Sequence, residues 1–227
     1  MKLQKAIFLL FLLQTLCGKL SAFENDTLRL NPIIRKKAYY QPLVLKISPT
    51  AFLFGGFFPY TSEYRFSVEI TSARTQSEQL SVSLLDKNVL LAAAATVTKT
   101  NYKADGWRVQ YAHKFYIVRK KRFAPYGLYA GALISYANAE ISMNASAYYR
   151  NEYLQFRNFN INGIVGIQVG KYHRLTLDVY TGLGYKKNKV FTHYANGTLT
   201  PYATKDFGEL FNSPVNGVFG INLGYSL

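Results

Sequence analysis

Three histidines, His113, His173 and His193, are the side chains of this chain best suited to moving a proton near neutral pH. A histidine needs a serine or carboxylate beside it to become a general base. In some eight-stranded barrels that act as acylases or deacylases of lipid A, such a pair sits at the extracellular rim. Only His193 falls on a stretch that would reach a rim of that kind, and no serine stands at a recognisable spacing from it. His113 lies on an alternating segment and reads as a lipid-facing or interfacial residue, and His173 as a solvated turn residue. Gly163, Gly166 and Gly170 have the look of a phosphate loop, but no helical pattern follows them, so nucleotide binding lacks its structural context. The run Arg119-Lys120-Lys121-Arg122 could meet headgroup phosphates, or simply sit in water. No catalytic residue, cofactor or metal is assigned, and the chain is expected not to be an enzyme.

What could position these residues depends on where the chain resides. Met1–Lys5 carries two lysines, Ala6–Leu13 is apolar throughout, and Leu20-Ser21-Ala22 precedes the acidic Phe23-Glu24-Asn25-Asp26. That is the pattern of a secretory signal peptide over residues 1–22, too short to span a bilayer as a helix. Cys17, the single cysteine, would leave with it, so neither disulfides nor thiolate metal sites are expected. Losing Lys2, Lys5 and Lys19 lowers the formal net charge from +15 to +12. A basic excess suits nucleic acid or an anionic membrane surface, and export leaves the membrane. Aromatic residues make up 16 % of the chain and charged residues only 17 %, which excludes disordered and coiled-coil classes.

Beyond residue 22 the dominant signal has period two. Val218–Leu227 places Phe219, Ile221, Leu223, Tyr225 and Leu227 opposite Val218, Gly220, Asn222, Gly224 and Ser226. Arg174–Tyr185, Asn160–Gly170 and Trp107–Val118 repeat the alternation. Leu43–Phe54, Tyr64–Ile70, Leu80–Leu84 and Tyr126–Tyr136 complete a set of eight strands. Val89–Val97 reads equally as a strand extension or a short helix. The connections at Arg119–Ala124 and Lys171–His173 are short and those between them long, the alternation of outer-membrane barrels with short periplasmic turns and long extracellular loops. The link at Gly55–Pro59 is expected to be short, against that rule, and Lys186–Ser213 to be the longest loop.

Alternation alone fits both a soluble ligand-binding barrel and a transmembrane one. The polar face here is rich in glycine (Gly166, Gly170, Gly182, Gly184, Gly220, Gly224), which suits a crowded lumen better than a solvated surface. Tyrosine and phenylalanine gather at strand ends (Tyr39-Tyr40, Phe57-Phe58, Tyr148-Tyr149, Tyr185, Tyr225), where amphipathic rings favour the headgroup boundary. The expectation is an all-β, eight-stranded antiparallel transmembrane barrel over residues 43–227, preceded by a periplasmic segment, 23–42, containing Arg35-Lys36-Lys37.

The chain also resembles small outer-membrane barrels of Bacteroidota-type bacteria, especially the DUF3575-like family. The stretches that carry the likeness are Leu45-Lys46-Ile47-Ser48-Pro49 with Phe54-Gly55-Gly56-Phe57 and Glu63-Tyr64-Arg65, then Pro125-Tyr126-Gly127-Leu128-Tyr129, Arg174–Tyr185 and Gly220–Tyr225. Each is mainly barrel patterning. The resemblance implies an outer-membrane address and no established activity. Asp26-Thr27-Leu28 resembles the short O-glycosylation signal of that bacterial group. Terminal Leu227 departs from the aromatic ending of many such barrels, with Tyr225 two residues earlier.

Eight strands enclose a lumen that side chains can fill. The polar face assigns Lys46, Arg65, Glu69, Arg108, Lys114, Arg174 and Asp178 to it, where opposite charges must pair to offset desolvation. The apolar face assigns Val109, Leu177, Val179, Phe219, Ile221, Leu223 and Tyr225 to lipid. The expected partners are outer-membrane lipid and lipopolysaccharide, and an envelope protein met through the extracellular loops. Nucleic acid is not expected, and the barrel is expected to be a monomer. The competing classes are a lipid-modifying enzyme, a narrow pore and a soluble periplasmic barrel.

Overall fold

The computed structural model describes residues 43–54, 61–87, 103–117, 124–142, 152–171, 174–202 and 209–227. The leader, the segment 23–42 with Asp26-Thr27-Leu28, the basic run 119–122, the stretch 89–97 and His173 lie outside them. Within the unit Gln41–Leu227 the strands are β1 (Leu43–Ile47), β2 (Thr61–Ala73), β3 (Gln76–Lys87), β4 (Lys103–Tyr116), β5 (Gly127–Ser142), β6 (Tyr153–Lys171), β7 (Leu175–His193), β8 (Leu199–Pro201) and β9 (Val215–Ser226). Every neighbouring pair is antiparallel. β1 to β7 follow chain order, and β7 and β1 both pair with β9, so eight strands close into a barrel. β8 only extends the far end of β7, pairing with Phe191–His193.

The short connections (74–75, 117–126 and 172–174) and the chain's exit from β9 share one end of the barrel, called here the turn end. The links 48–60, 88–102, 143–152 and 194–214 share the other, the loop end. β1 is shorter than its alternation suggested. Pro49 cannot donate to a ladder, and the chain turns there into a six-residue helix, α1 (Pro49–Phe54). The first loop is thus longer than the Gly55–Pro59 break implied. α1 contacts both β2 and β9 beyond the end of β1, with Thr50 Oγ1 accepting the Ile221 N–H at 3.0 Å and Ser48 Oγ donating to the Ile221 carbonyl at 3.2 Å. The β1–β9 seam is confined to Val44–Ile47 against Leu223–Ser226, whereas β6 and β7 pair over their whole length. β7 runs on through residues expected in the last loop, which therefore begins at Tyr194. That loop holds one helical turn, α2 (Glu209–Asn212).

The period-two alternation becomes an inversion of the ordinary globular pattern. Phe219 (62 % exposed), Leu183 (71 %) and Phe66 (61 %) face outward, while Asn222 (1 %), Asp178 (0 %) and Glu69 (0 %) face the barrel axis. Glycines on the inner face let tyrosine rings lie flat across the wall. A Cβ on Gly220 would stand 2.5 Å from the Tyr180 ring, and one on Gly166 would stand 2.6 Å from that of Tyr129.

Candidate functional site

The lumen is built in layers. Nearest the turn end, Lys46 on β1, Glu69 on β2, Lys114 on β4 and Asp178 on β7 converge from four strands. Lys46 Nζ lies 2.7 Å from Asp178 Oδ2 and 2.5 Å from Glu69 Oε2. Lys114 Nζ lies 2.9 Å from the same Asp178 oxygen and 3.3 Å from Glu69 Oε1. Two positive and two negative groups thus form a ring in which each cation meets both anions. Neutral donors and acceptors complete it. Tyr129 donates to Asp178 at 2.7 Å, Tyr116 donates to Glu69 at 2.8 Å, and Gln79 and Gln168 accept from the lysines at 2.8 Å.

Toward the loop end comes an apolar belt of Ala112, Leu133, Ile164 and the Tyr180 ring, then a second charged layer. Arg65 lies four residue steps from Glu69 along β2, about 13 Å of strand. Here Glu63 Oε1 accepts from Arg65 Nε at 2.8 Å, and Glu63 Oε2 accepts from Arg108 Nη1 at 3.2 Å. Arg65 Nη1 donates to the Tyr180 hydroxyl at 3.0 Å, Arg108 Nη2 donates to Ser135 at 3.1 Å, and Ser83 donates to Glu63 at 2.6 Å. Two guanidinium groups therefore share one carboxylate, leaving this layer one positive charge in excess among the described residues. Gln110 Nε2, Asn160 Oδ1 and Asn162 Nδ2, all buried nearby on β4 and β6, have no hydrogen-bond partner among the described residues. At the loop end Leu85, Ala104, Ile141, Phe156 and Val190 close over the lumen, and Phe211 of α2 sets its ring edge-on to Phe156 with centroids 6.0 Å apart.

Six of the seven charges assigned to the lumen from sequence, Lys46, Arg65, Glu69, Arg108, Lys114 and Asp178, are buried there. Arg174 is not. It is exposed in the β6–β7 turn with φ 76°, and its carbonyl accepts from the Ser226 N–H at 2.8 Å. The alternation stops at Leu175, one residue short of the tight turn that holds Arg174. Glu63, the pivot of the second layer, belongs to β2, which starts three residues before the visible alternation at Tyr64. Its spacing of two from Arg65 is the signal the sequence offers for it. Of the residues assigned to the apolar face, Leu177, Phe219, Leu223 and Tyr225 are exposed, while Val109, Val179 and Ile221 are outward but half-buried.

His113 and His193 stand on the outer wall. His113 Nδ1 lies 2.5 Å from Glu78, which also accepts from the Tyr111 hydroxyl. His193 stacks on Tyr153 with ring centroids 4.6 Å apart. A cavity of about 210 Å³ opens at the loop end between β7 and the chain entering β9, with Lys186, Lys187, Asn188, Asn212 and Ser213 among its lining residues. No family model, curated protein or solved structure matches the chain.

Proposed function

We propose that this protein is a monomeric outer-membrane barrel with a side-chain-filled lumen, a structural or interaction role, no enzymatic activity, and loops that present its partner-binding surface. The observation that carries the reading is the inverted wall. From Leu175 to Tyr185 the outward positions of β7 are Leu, Leu, Val, Thr, Leu and Tyr, with Val215, Phe219 and Leu223 beside them on β9. Ten residue steps at about 3.3 Å, tilted by roughly 40°, give a band about 25 Å tall, the height of hydrocarbon that outer-membrane barrels cover. Trp107, Tyr136, Phe159 and Tyr185 mark its loop-side edge, the Trp107 and Tyr136 rings 5.6 Å apart, as amphipathic rings do at a headgroup boundary.

A ligand-binding soluble barrel would need the opposite arrangement, because so continuous an apolar exterior is unstable in water. The interlocked ion pairs support a closed lumen over a conducting one. The partners of His113 and His193, Glu78 and Tyr153, are on the outer wall, which supports a non-catalytic role. Kinship with DUF3575-like barrels is part of this proposal and rests on the motifs quoted above. Cell fractionation tests it. The protein should stay with membranes through an alkaline carbonate wash and leave only with detergent, and recovery in the soluble periplasmic fraction without detergent would overturn it.

A further inference from the structure

Just above the aromatic edge of the apolar band, the outer wall divides by charge. On β3, β4 and β5 the outward Asp86, Asp105 and Glu140 are consecutive cross-strand partners. On β6 and β7 the outward residues are basic. Arg157 stands directly opposite Lys189, and Lys187 comes two residues nearer the band, opposite Phe159. Like charges facing each other across a ladder destabilise it unless an anion lies between them. Arg157 is held in place, its guanidinium 4.8 Å above the Phe191 ring and one Nη donating to Gln155 at 2.9 Å.

From this we infer that the β6–β7 sector docks the phosphorylated headgroup of an outer-leaflet lipid, with the phosphate on Arg157, Lys187 and Lys189 and the acyl chains along Phe159, Ile161, Tyr185 and Leu183 beneath. The inference rests on the membrane reading above. It commits to a lipid over free phosphate because the basic patch and the exposed apolar band are contiguous along β6 and β7: Lys187 is followed toward the turn end by Tyr185 and Leu183, 52 % and 71 % exposed. The acidic sector on β3–β5 would repel the same headgroup, so docking is confined to one side of the barrel.

The test uses the full mature chain folded in detergent micelles and then in phosphatidylcholine nanodiscs. Its probes are a bis-phosphorylated disaccharide lipid, the same lipid with both phosphates removed, and inorganic phosphate, read by native mass spectrometry. The wild-type protein should retain the phosphorylated lipid at roughly tenfold lower concentration than the dephosphorylated one, the factor expected from a single charge-assisted contact pair. Lys187→Gln/Lys189→Gln and Arg157→Gln/Lys189→Gln should lose that preference. Both sets of side chains lie outside the lumen, so heat-dependent migration on gels should show that the variants fold. Equal retention of the two lipids by wild type, or an undiminished preference in both variants, would overturn the inference. So would inorganic phosphate that binds as tightly as the phosphorylated lipid and displaces it. Failure of the chain to insert into nanodiscs would instead tell against the membrane reading itself.

Discussion

The two charged layers of the lumen are built on different logic. Near the turn end Lys46 and Lys114 are each answered by both Glu69 and Asp178, so removing one carboxylate leaves the other in place. Toward the loop end Arg65 and Arg108 both depend on Glu63, and nothing duplicates it among the described residues. Buried charge is tolerated when it is paired, and breaking a pair costs far more than the pair contributes. The contrast therefore predicts that sensitivity to mutation follows redundancy more than the number of charges. The neutral ring is a seal. The arginine layer is a span resting on one support.

The hardest test is Glu63→Gln, which strands two buried guanidinium groups. We expect a loss of about 3–5 kcal/mol in urea unfolding of the barrel in vesicles. Asp178→Asn should cost less, about 2–3 kcal/mol, because Glu69 still lies within 3.3 Å of both lysines. If Asp178→Asn proves the more damaging, the redundancy argument fails. Gly220→Ala should cost roughly 1–2 kcal/mol by pushing a methyl group into the Tyr180 ring, and combining it with Tyr180→Ala should recover part of that loss. Arg174→Gln, in the turn, should leave stability within about 0.5 kcal/mol. A larger change would give this exposed residue a role its surroundings do not show.

Much of this was legible in the chain because a strand's two faces are written in alternate residues. The outward set through Phe219, Leu223 and Tyr225 and the inward set through Asp178 and Lys114 need only a parity rule. Parity stops being a guide at strand ends. Pro49 ends β1 early, Arg174 sits one residue before β7 in a left-handed turn, and Glu63 lies in the first residues of β2, one step before the apolar alternation from Tyr64 becomes visible. The division of the lumen into a balanced layer and an arginine-rich one was not legible, since it depends on register. Lys46 meets Asp178 across 132 positions of sequence, and nothing local to either residue encodes that meeting. The basic sector on β6 and β7 was hidden differently, in residues 186–189 that looked like the start of a loop.

The four-residue clasp between β1 and β9 gives the ring a place to come undone. Where the seams of the wall that do not involve β1 are zipped for eleven residues or more, and β1 meets β2 over five, the wall here is held by a ladder about 13 Å tall, with α1 pinned across its upper end by Thr50 and Ser48. Backbone amides of β1 should be the first in the wall to trade their protons for deuterium. A chain folding toward this structure would have every other hairpin available from neighbouring sequence, leaving the meeting of its two ends as the final and least secured act.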